Sequence, residues 1–367
     1  MKGIIYDGET AGVREGLETK EVGPAEVKVE MVAAGVCHSD LSVIDGTIKW
    51  QAPAVLGHEG AGIISEVGSE VDSLEPGDHV VLSTLASCGH CEWCSSGHPT
   101  FCRSSIGNMR HAFTLDGEPT WDFAATSVFA QETVVRAIQA VKIPDDVPLE
   151  SACLIGCGVI TGVGTVFNKT PVEPGQAAAV FGVGGIGLNV IQALRIKGAA
   201  PIIAVDTNPS KEALARQFGA THFIDASEGG GVEAVRAALP TEENVIAQFM
   251  GAGGVAYSYD CVGHPAVVSD AVDVLDWGGL CVVVGVPGPD ARLDIPINKL
   301  NLVERAITGC RYGSSRPHHD IPQLIGLYRS GQLLLDELVT ETYPLEAFDQ
   351  VVHDMHEGRL ARGVLKF

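Results

Sequence analysis

Basic residues are scarce. The 367-residue chain carries 24 Lys and Arg against 46 Asp and Glu, a formal net charge of −22. It has no Lys/Arg run, so the basic face that a nucleic-acid partner needs is missing, and the acidity reads as a solubility device. Long apolar runs are missing too. The most apolar stretch, residues 177–194, holds four glycines together with Asn189 and Gln192. It reads as strand, turn and helix rather than as a membrane span. No signal-peptide pattern is seen, because Met1 leads straight into the strand-like Gly3-Ile4-Ile5-Tyr6; a cytoplasmic chain with no membrane partner is expected. Repeats and low-complexity linkers are absent. Charged residues make up only 19% and hydrophobic ones 46%, which excludes extensive disorder and permits a large core. The length suits two domains.

Cysteine is plentiful. Ten are spread over positions 37, 88, 91, 94, 102, 153, 157, 261, 281 and 310. Four of them form Cys88-x2-Cys91-x2-Cys94-x7-Cys102. In a reducing compartment such clustering points to a metal and not to disulfides. Four thiolates from one short loop match the tetrahedral sulfur set of a structural zinc, with no position left for substrate. An iron–sulfur cluster uses similar spacing.

The first 155 residues read as β-rich. Residues 26–36, 60–67 and 79–83 are short Val/Ile-heavy runs punctuated by Pro and Gly, as in Glu75-Pro76-Gly77-Asp78. Past Pro174-Gly175 the pattern changes to strand–helix alternation. Strands are expected at 177–181, 201–205, 220–225, 256–260 and 280–286. Helices are expected from the glycine-rich turn to 197, from Asn208-Pro209 to 218, and around 265–276. Such alternation gives an α/β fold with a doubly wound parallel sheet. A helix near 321–330 and an apolar end close the chain, and this tail is expected to pack back on the first domain.

Gly182-Val183-Gly184-Gly185-Ile186-Gly187 fits G-x-G-x-x-G between a strand and a helix. Gly182 permits the tight turn, Gly184 the approach of a pyrophosphate, and Gly187 the packing of helix on strand. The helix N-terminus offers N–H groups and partial positive charge to phosphates. Asp206 ends the second strand, 19 residues past Gly187. A carboxylate there accepts from both ribose hydroxyls and repels a 2′-phosphate, so NAD is expected over NADP.

Three further segments carry ligand-type side chains: Gly35-Val36-Cys37-His38-Ser39-Asp40, Gly57-His58-Glu59-Gly60-Ala61-Gly62 and Gly156-Cys157-Gly158. Together with the four-Cys loop, the glycine turn, Tyr312-Gly313-Ser314 and Arg362-Gly363-Val364-Leu365, they resemble the zinc-containing alcohol dehydrogenases of the medium-chain dehydrogenase/reductase family. The resemblance spans essentially the whole chain, in order.

It implies a GroES-like β-rich catalytic domain over residues 1–155 and 310–367, and a Rossmann NAD-binding domain over 156–309. It implies two zinc ions per chain, one structural and one catalytic. The catalytic ion would be held by Cys37, His58 and Cys157, with a fourth place open to water or substrate; the Cys₂His set of alcohol dehydrogenase is itself the stock illustration of such a site. The metal lowers the alcohol's pKa and hydride passes to nicotinamide, giving an aldehyde or ketone. Glu59 approaches the metal from behind, Asp40 orients the His58 imidazole, and Ser39 takes the alcohol proton. Relatives often end this relay with a histidine three residues on; Ser42 stands there. His38 and Arg362 match pyrophosphate contacts and Lys211 a ribose contact. Thr161 is expected beside the nicotinamide, and Val286 among the cofactor-binding residues.

Ile48, Trp50 and Thr84 are expected along the substrate channel, with Trp121 and Phe123 as outer contacts. A medium-sized apolar or aromatic primary alcohol, or a secondary one, follows as substrate. One alternative is a class III-like enzyme acting on the thiol adduct of formaldehyde, for which Arg103 and Arg110 are candidate cations. Another is an enzyme that never releases its NAD. The non-catalytic alternative, a zinc-ribbon binding protein, is disfavoured by the charge and by the presence of Cys37, His58 and Cys157 together. A homodimer, or failing that a homotetramer, is expected.

Overall fold

Alternating apolar and polar residues make Glu26–Val36 a half-buried strand over its first part, and the apolar run that follows buries its end completely. In the computed structural model, which describes residues 1–105 and 109–367, this strand organises the first of two units, Met1–Ile160 with Ser315–Phe367. It pairs antiparallel with Glu59–Val67, Glu132–Arg136 and the C-terminal strand Arg362–Lys366. The sheet runs Ala140–Lys142, His79–Leu82, Glu59–Val67, Glu26–Val36, Arg362–Lys366, Val339–Pro344. A second sheet runs Ala11–Arg14, Gly3–Tyr6, Ala54–Val55, Glu118–Asp122, Phe113–Leu115, Leu17–Thr19. Val27, Val29, Leu56, Leu82, Phe129, Phe348 and Leu365 belong to the core of this unit.

Register decides what meets at the strand ends. Gly35 lies opposite Glu59, and Gly363 opposite Val36. The segments carrying Cys37, His58-Glu59 and Arg362 therefore converge. The 3₁₀ turn Cys153–Gly156 seats Gly156 so close to the Leu82 carbonyl that no side chain fits. That contact brings Cys157 to the same end.

The second unit is Thr161–Ser314. Its sheet runs His222–Asp225, Ile202–Asp206, Ala178–Phe181, Val255–Asp260, Leu275–Val283, Ala306–Gly309, with every pairing parallel. The adjacent strands Ala178–Phe181 and Ile202–Asp206 are buried throughout, as strands covered on both faces must be. Chain order reverses between Ala178–Phe181 and Val255–Asp260, so the crevice beyond their carboxyl ends is the expected ligand position.

Local details differ from the sequence expectation. The segment after Asn208 begins as a 3₁₀ turn, Pro209–Lys211, because the Asn208 side chain accepts from Ser210 N; the α-helix proper is Glu212–Phe218. The fifth strand starts at Leu275, earlier than expected, since a register shift opposite Val255–Tyr257 absorbs Gly278 and Gly279. It stops at Val283, where Gly285 backs onto the Val262–Gly263 chain. The late helix is Pro317–Arg329, with Pro317 in its first turn. Helices also form where the sequence suggests only β structure or no regular element, among them His38–Ile44, Gly158–Phe167, Gly231–Ala237 and Phe348–His356. Among the described residues no single helix is long and apolar enough to cross a membrane.

Candidate metal centres and cofactor cradle

Cys37 ends the Glu26–Val36 strand and caps the helix His38–Ile44. One donor atom from each of Cys37, His58, Glu59 and Cys157 lies within 4.8 Å of the others, and all four residues are buried. Asp40 holds two of the ligand-bearing segments together. Its Oδ2 accepts from Cys37 N at 3.0 Å, and its Oδ1 accepts from Gly57 N at 3.1 Å and lies 3.1 Å from His58 Nδ1. With Nδ1 so engaged, Nε2 is the nitrogen left for a metal. Ser39 Oγ is 3.9 Å from Cys37 Sγ.

Glu59 Oε1 accepts from Gly158 N at 3.1 Å and pairs with Arg362 Nη2 at 3.2 Å. Its Oε2 is buried with no partner. An unpaired carboxylate oxygen inside a protein is costly unless a cation answers it, and Glu59 is one of the four residues of the donor group. Electrostatics agree. A hydrogen bond from Cys157 holds the Cys37 thiol well below its usual range, against burial and with help from Arg362 and His58. Cys157 is driven up by the same bond and by burial. Burial works against charge on His58, yet Asp40 and Cys157 carry it well above its ordinary value. Burial pushes Glu59 up to about 7, with Arg362 opposing. Protons crowd a place where a divalent ion would displace them. The donor set fits zinc.

The second group is Cys88, Cys91, Cys94 and Cys102, again within 4.8 Å. The Cys91–Cys94 and Cys88–Cys94 sulfurs stand 3.5 and 4.0 Å apart; sulfurs on a tetrahedral zinc at 2.3 Å are about 3.8 Å apart. Cys91 N donates to Cys88 Sγ and Cys88 N to Cys102 Sγ, bonds that favour thiolate. Cys102 falls to about 6 because such backbone donors outweigh its burial.

In the second unit, Gly182 turns the chain at φ +90°, and Gly187 lies against the Gly182 carbonyl too closely for any side chain. Gly184 caps the helix Gly185–Lys197 with open space where a side chain would be, a cradle fit for a phosphate. Asp206 Oδ2 accepts from Val183 N at 2.7 Å, Oδ1 accepts from Asn208 N at 2.9 Å, and Lys211 Nζ lies 3.0 Å from Oδ2. The carboxylate thus ties the glycine turn to the second strand. Val286 is exposed just beyond Leu275–Val283, with its backbone against Gly263. Thr161 is buried on the helix Gly158–Phe167, its carbonyl accepting from Thr165 Oγ1. His38 is exposed. Arg362 is buried, committed to Glu59 and to the Val36 carbonyl at 3.4 Å.

Spacing gave no hint of several contacts. Phe123, expected as an outer residue, is buried and stands edge-on to the His58 ring at 5.5 Å and to Trp50 at 5.0 Å. Trp121 instead lies on His111 at 3.8 Å. Arg110, a candidate cation for an anionic substrate, is locked into Asp122 and Glu26 at 2.9 and 2.8 Å. Arg103 is exposed, one residue past Cys102 in the cysteine lobe. Thr84 Oγ1 is buried without a partner. Asp260 accepts from Val262 N and Gly263 N beyond the fourth strand. A carboxylate closing a strand shortly before a glycine was a signal that could have singled it out.

Residues 23–145 match the alcohol dehydrogenase GroES-like domain, and residues 185–330 the zinc-binding dehydrogenase domain. An S-(hydroxymethyl)glutathione dehydrogenase of Paracoccus denitrificans is 37% identical, over 96% of this chain and 96% of its own. A geraniol dehydrogenase of Castellaniella defragrans is 36% identical, over 93% and 91%. The crystal structure of a benzyl alcohol dehydrogenase from Acinetobacter calcoaceticus superposes with a TM-score of 0.89, at 33% identity and complete coverage of both chains. The chain belongs to the zinc-dependent alcohol dehydrogenases of the medium-chain dehydrogenase/reductase family. It is an alcohol oxidoreductase, and its donor sets and glycine turn suit two zinc ions and a nicotinamide dinucleotide.

Proposed function

We propose that this enzyme oxidises medium-sized apolar or aromatic primary alcohols with NAD, and reduces the corresponding aldehydes. The observation that carries the substrate class is the aromatic wall Trp50–Phe123 set directly against the His58 ring. An apolar ring or prenyl chain gains from such a wall through area burial and edge-to-face contact. The geraniol and benzyl alcohol relatives act on alcohols of this kind. The thiol-adduct reading loses support, since Arg110 is already neutralised by two carboxylates.

The residues divide the work as follows. Cys37, His58 and Cys157 would hold the catalytic zinc, with Glu59, one of whose oxygens is unbonded, in the same buried donor group. Bound zinc supplies Lewis acidity toward the alcohol oxygen and bound NAD the hydride acceptor. Asp40 fixes the imidazole, and Ser39 accepts the alcohol proton and passes it outward; with Ser42 in place of a relay histidine, water completes the path. Gly182, Gly184, Gly185 and Gly187 cradle the pyrophosphate. Asp206 and Lys211 would hold the adenosine ribose, and Thr161 and Val286 would serve the nicotinamide end. His38 binds phosphate, as does Arg362 through the N–H groups that Glu59 leaves over. Residues 1–155 with 310–367 form the catalytic domain and 156–309 the NAD domain. Cys88, Cys91, Cys94 and Cys102 hold the structural zinc. The ten cysteines, all free, suit the cytoplasm. Ala306–Gly309 is a sheet edge, with exposed Ile297 and Leu302 preceding it, and a second copy of the chain is the natural cover, as a homodimer before a homotetramer.

The test is NADH formation over alkyl, aryl and terpenoid alcohols, with and without glutathione plus formaldehyde. Benzyl alcohol and geraniol are expected to exceed ethanol in kcat/KM. Preference for the glutathione adduct would overturn the reading.

A further inference from the structure

Arg110 is the hub of a polar network beneath the aromatic wall. Its backbone N–H donates to Asp122 Oδ1 at 3.0 Å, its Nε to Asp122 Oδ2 at 2.9 Å, and its carbonyl accepts from Asp122 N at 2.9 Å. Nη1 donates to Glu26 Oε1 at 2.8 Å, an oxygen that Lys20 Nζ also meets at 2.6 Å. Nη2 donates to the Val134 carbonyl at 3.0 Å. One guanidinium therefore ties strand Glu118–Asp122 to the start of Glu26–Val36 and the middle of Glu132–Arg136. Asp122 is almost wholly buried, its side chain 1% exposed, so without Arg110 its carboxylate has no cation.

What Asp122 holds is the wall. Its backbone carbonyl accepts from Trp50 Nε1 at 2.9 Å, and the next residue is Phe123, edge-on to both Trp50 and His58. The place of both rings thus depends on where the Asp122 peptide sits. Strand pairing with Val55 and the Phe123 N to Ser127 Oγ bond hold it from one side, and the Arg110 fork holds its side chain, with a geometry that a lysine does not reproduce.

We propose that Arg110 is a positioning residue for substrate selectivity: acting through Asp122, it sets the Phe123–Trp50 wall against His58 and so favours large apolar or aromatic alcohols over small ones. The proposal rests on reading that wall as the substrate's seat. Ethanol is too small to use the wall, so its turnover reports on the rest of the machinery.

The experiment compares kcat/KM for benzyl alcohol and for ethanol in the zinc-loaded, full-length enzyme, as wild type, Arg110→Gln, Arg110→Lys, Asp122→Asn and Phe123→Ala, with zinc content measured for each. Arg110→Gln is expected to lower the benzyl alcohol to ethanol ratio about tenfold, mainly through KM for benzyl alcohol, the size of a change in hydrophobic pocket fit. Arg110→Lys keeps the charge but loses the fork, and is expected to recover only part of the ratio. Equal losses for both substrates would make Arg110 merely structural and overturn the proposal, as would an unchanged ratio. If Arg110→Gln does not fold, Arg110→Lys and Asp122→Asn carry the same test on the same ratio. A ratio shifted by Phe123→Ala but not by the Arg110 variants overturns this proposal alone. A ratio that Phe123→Ala leaves unchanged overturns the aromatic-wall reading beneath it.

Discussion

Asp40 shows how much one buried side chain does here. Three N–H groups converge on its two oxygens, from Cys37, Gly57 and, in the tautomer with Nδ1 protonated, His58. Removing it frees the imidazole to rotate and unties two of the segments that carry ligands. Asp40→Ala is expected to weaken zinc binding by about 10- to 100-fold, the usual cost of losing such a support. Competition against a chromophoric chelator measures it; unchanged affinity would mean that Asp40 does not orient the ligand. Cys37→Ser and His58→Ala remove donors themselves, and turnover should disappear while the far-ultraviolet circular dichroism stays that of the wild type. Retained turnover in either variant would move the metal elsewhere. Asp206 acts in the same single-residue way. On the proposed reading its carboxylate meets the adenosine ribose, so Asp206→Gly should narrow the NAD over NADP preference in kcat/KM. A constant ratio would separate Asp206 from the ribose.

At the scale of elements, the strand–turn–helix from Ala178 to Lys197 depends on Gly187 having no side chain against the Gly182 carbonyl. Gly187→Val would push helix from strand, a loss of about 1–3 kcal/mol if it behaves as ordinary overpacking, and with it the phosphate cradle. NAD titration by fluorescence together with a thermal melt reads both; wild-type NAD affinity would refute the assignment. The cysteine loop is a second self-contained element. Cys94→Ser should cost one zinc per chain and lower the melting temperature before it changes kcat.

Legibility follows the same division. Glu26–Val36 was readable because its apolar residues alternate with polar ones before an apolar end, and the glycine turn because its spacing is a local pattern, with Gly182 and Gly187 each answering a steric demand. The helix Gly158–Phe167 was not. It is rich in glycine and β-branched residues, poor helix formers on their own, and Gly162 and Gly164 lie where the Ile186 and Gly313 backbones come close. Tertiary packing overrides propensity there. Arg110 was invisible as a hub because its partners lie 12, 24 and 84 residues away.

For the molecule as a whole, metal content and assembly are the measurable quantities. Protein purified without chelator should hold two zinc ions per chain by elemental analysis. Mild dialysis against a chelator should abolish alcohol oxidation, with readded zinc restoring it. One ion per chain, or none, would contradict the two donor sets. Light scattering should give an even number of chains, and a monomer at micromolar concentration would leave the Ala306–Gly309 edge to some other cover.

Sequence by itself determined the chemistry on offer: four thiols close enough along the chain to wrap an ion, glycines at phosphate-binding spacing, a carboxylate ending the next strand, and the family to which such a set belongs. These are local patterns, and a chain segment carries them wherever it goes. Tertiary structure alone decided that Cys37, His58 and Cys157 share one point, that Glu59 keeps an unbonded oxygen there while Arg362 holds the other, and that Phe123 faces the imidazole. Those facts follow from strand register and from contacts between residues far apart in sequence, which no local pattern encodes.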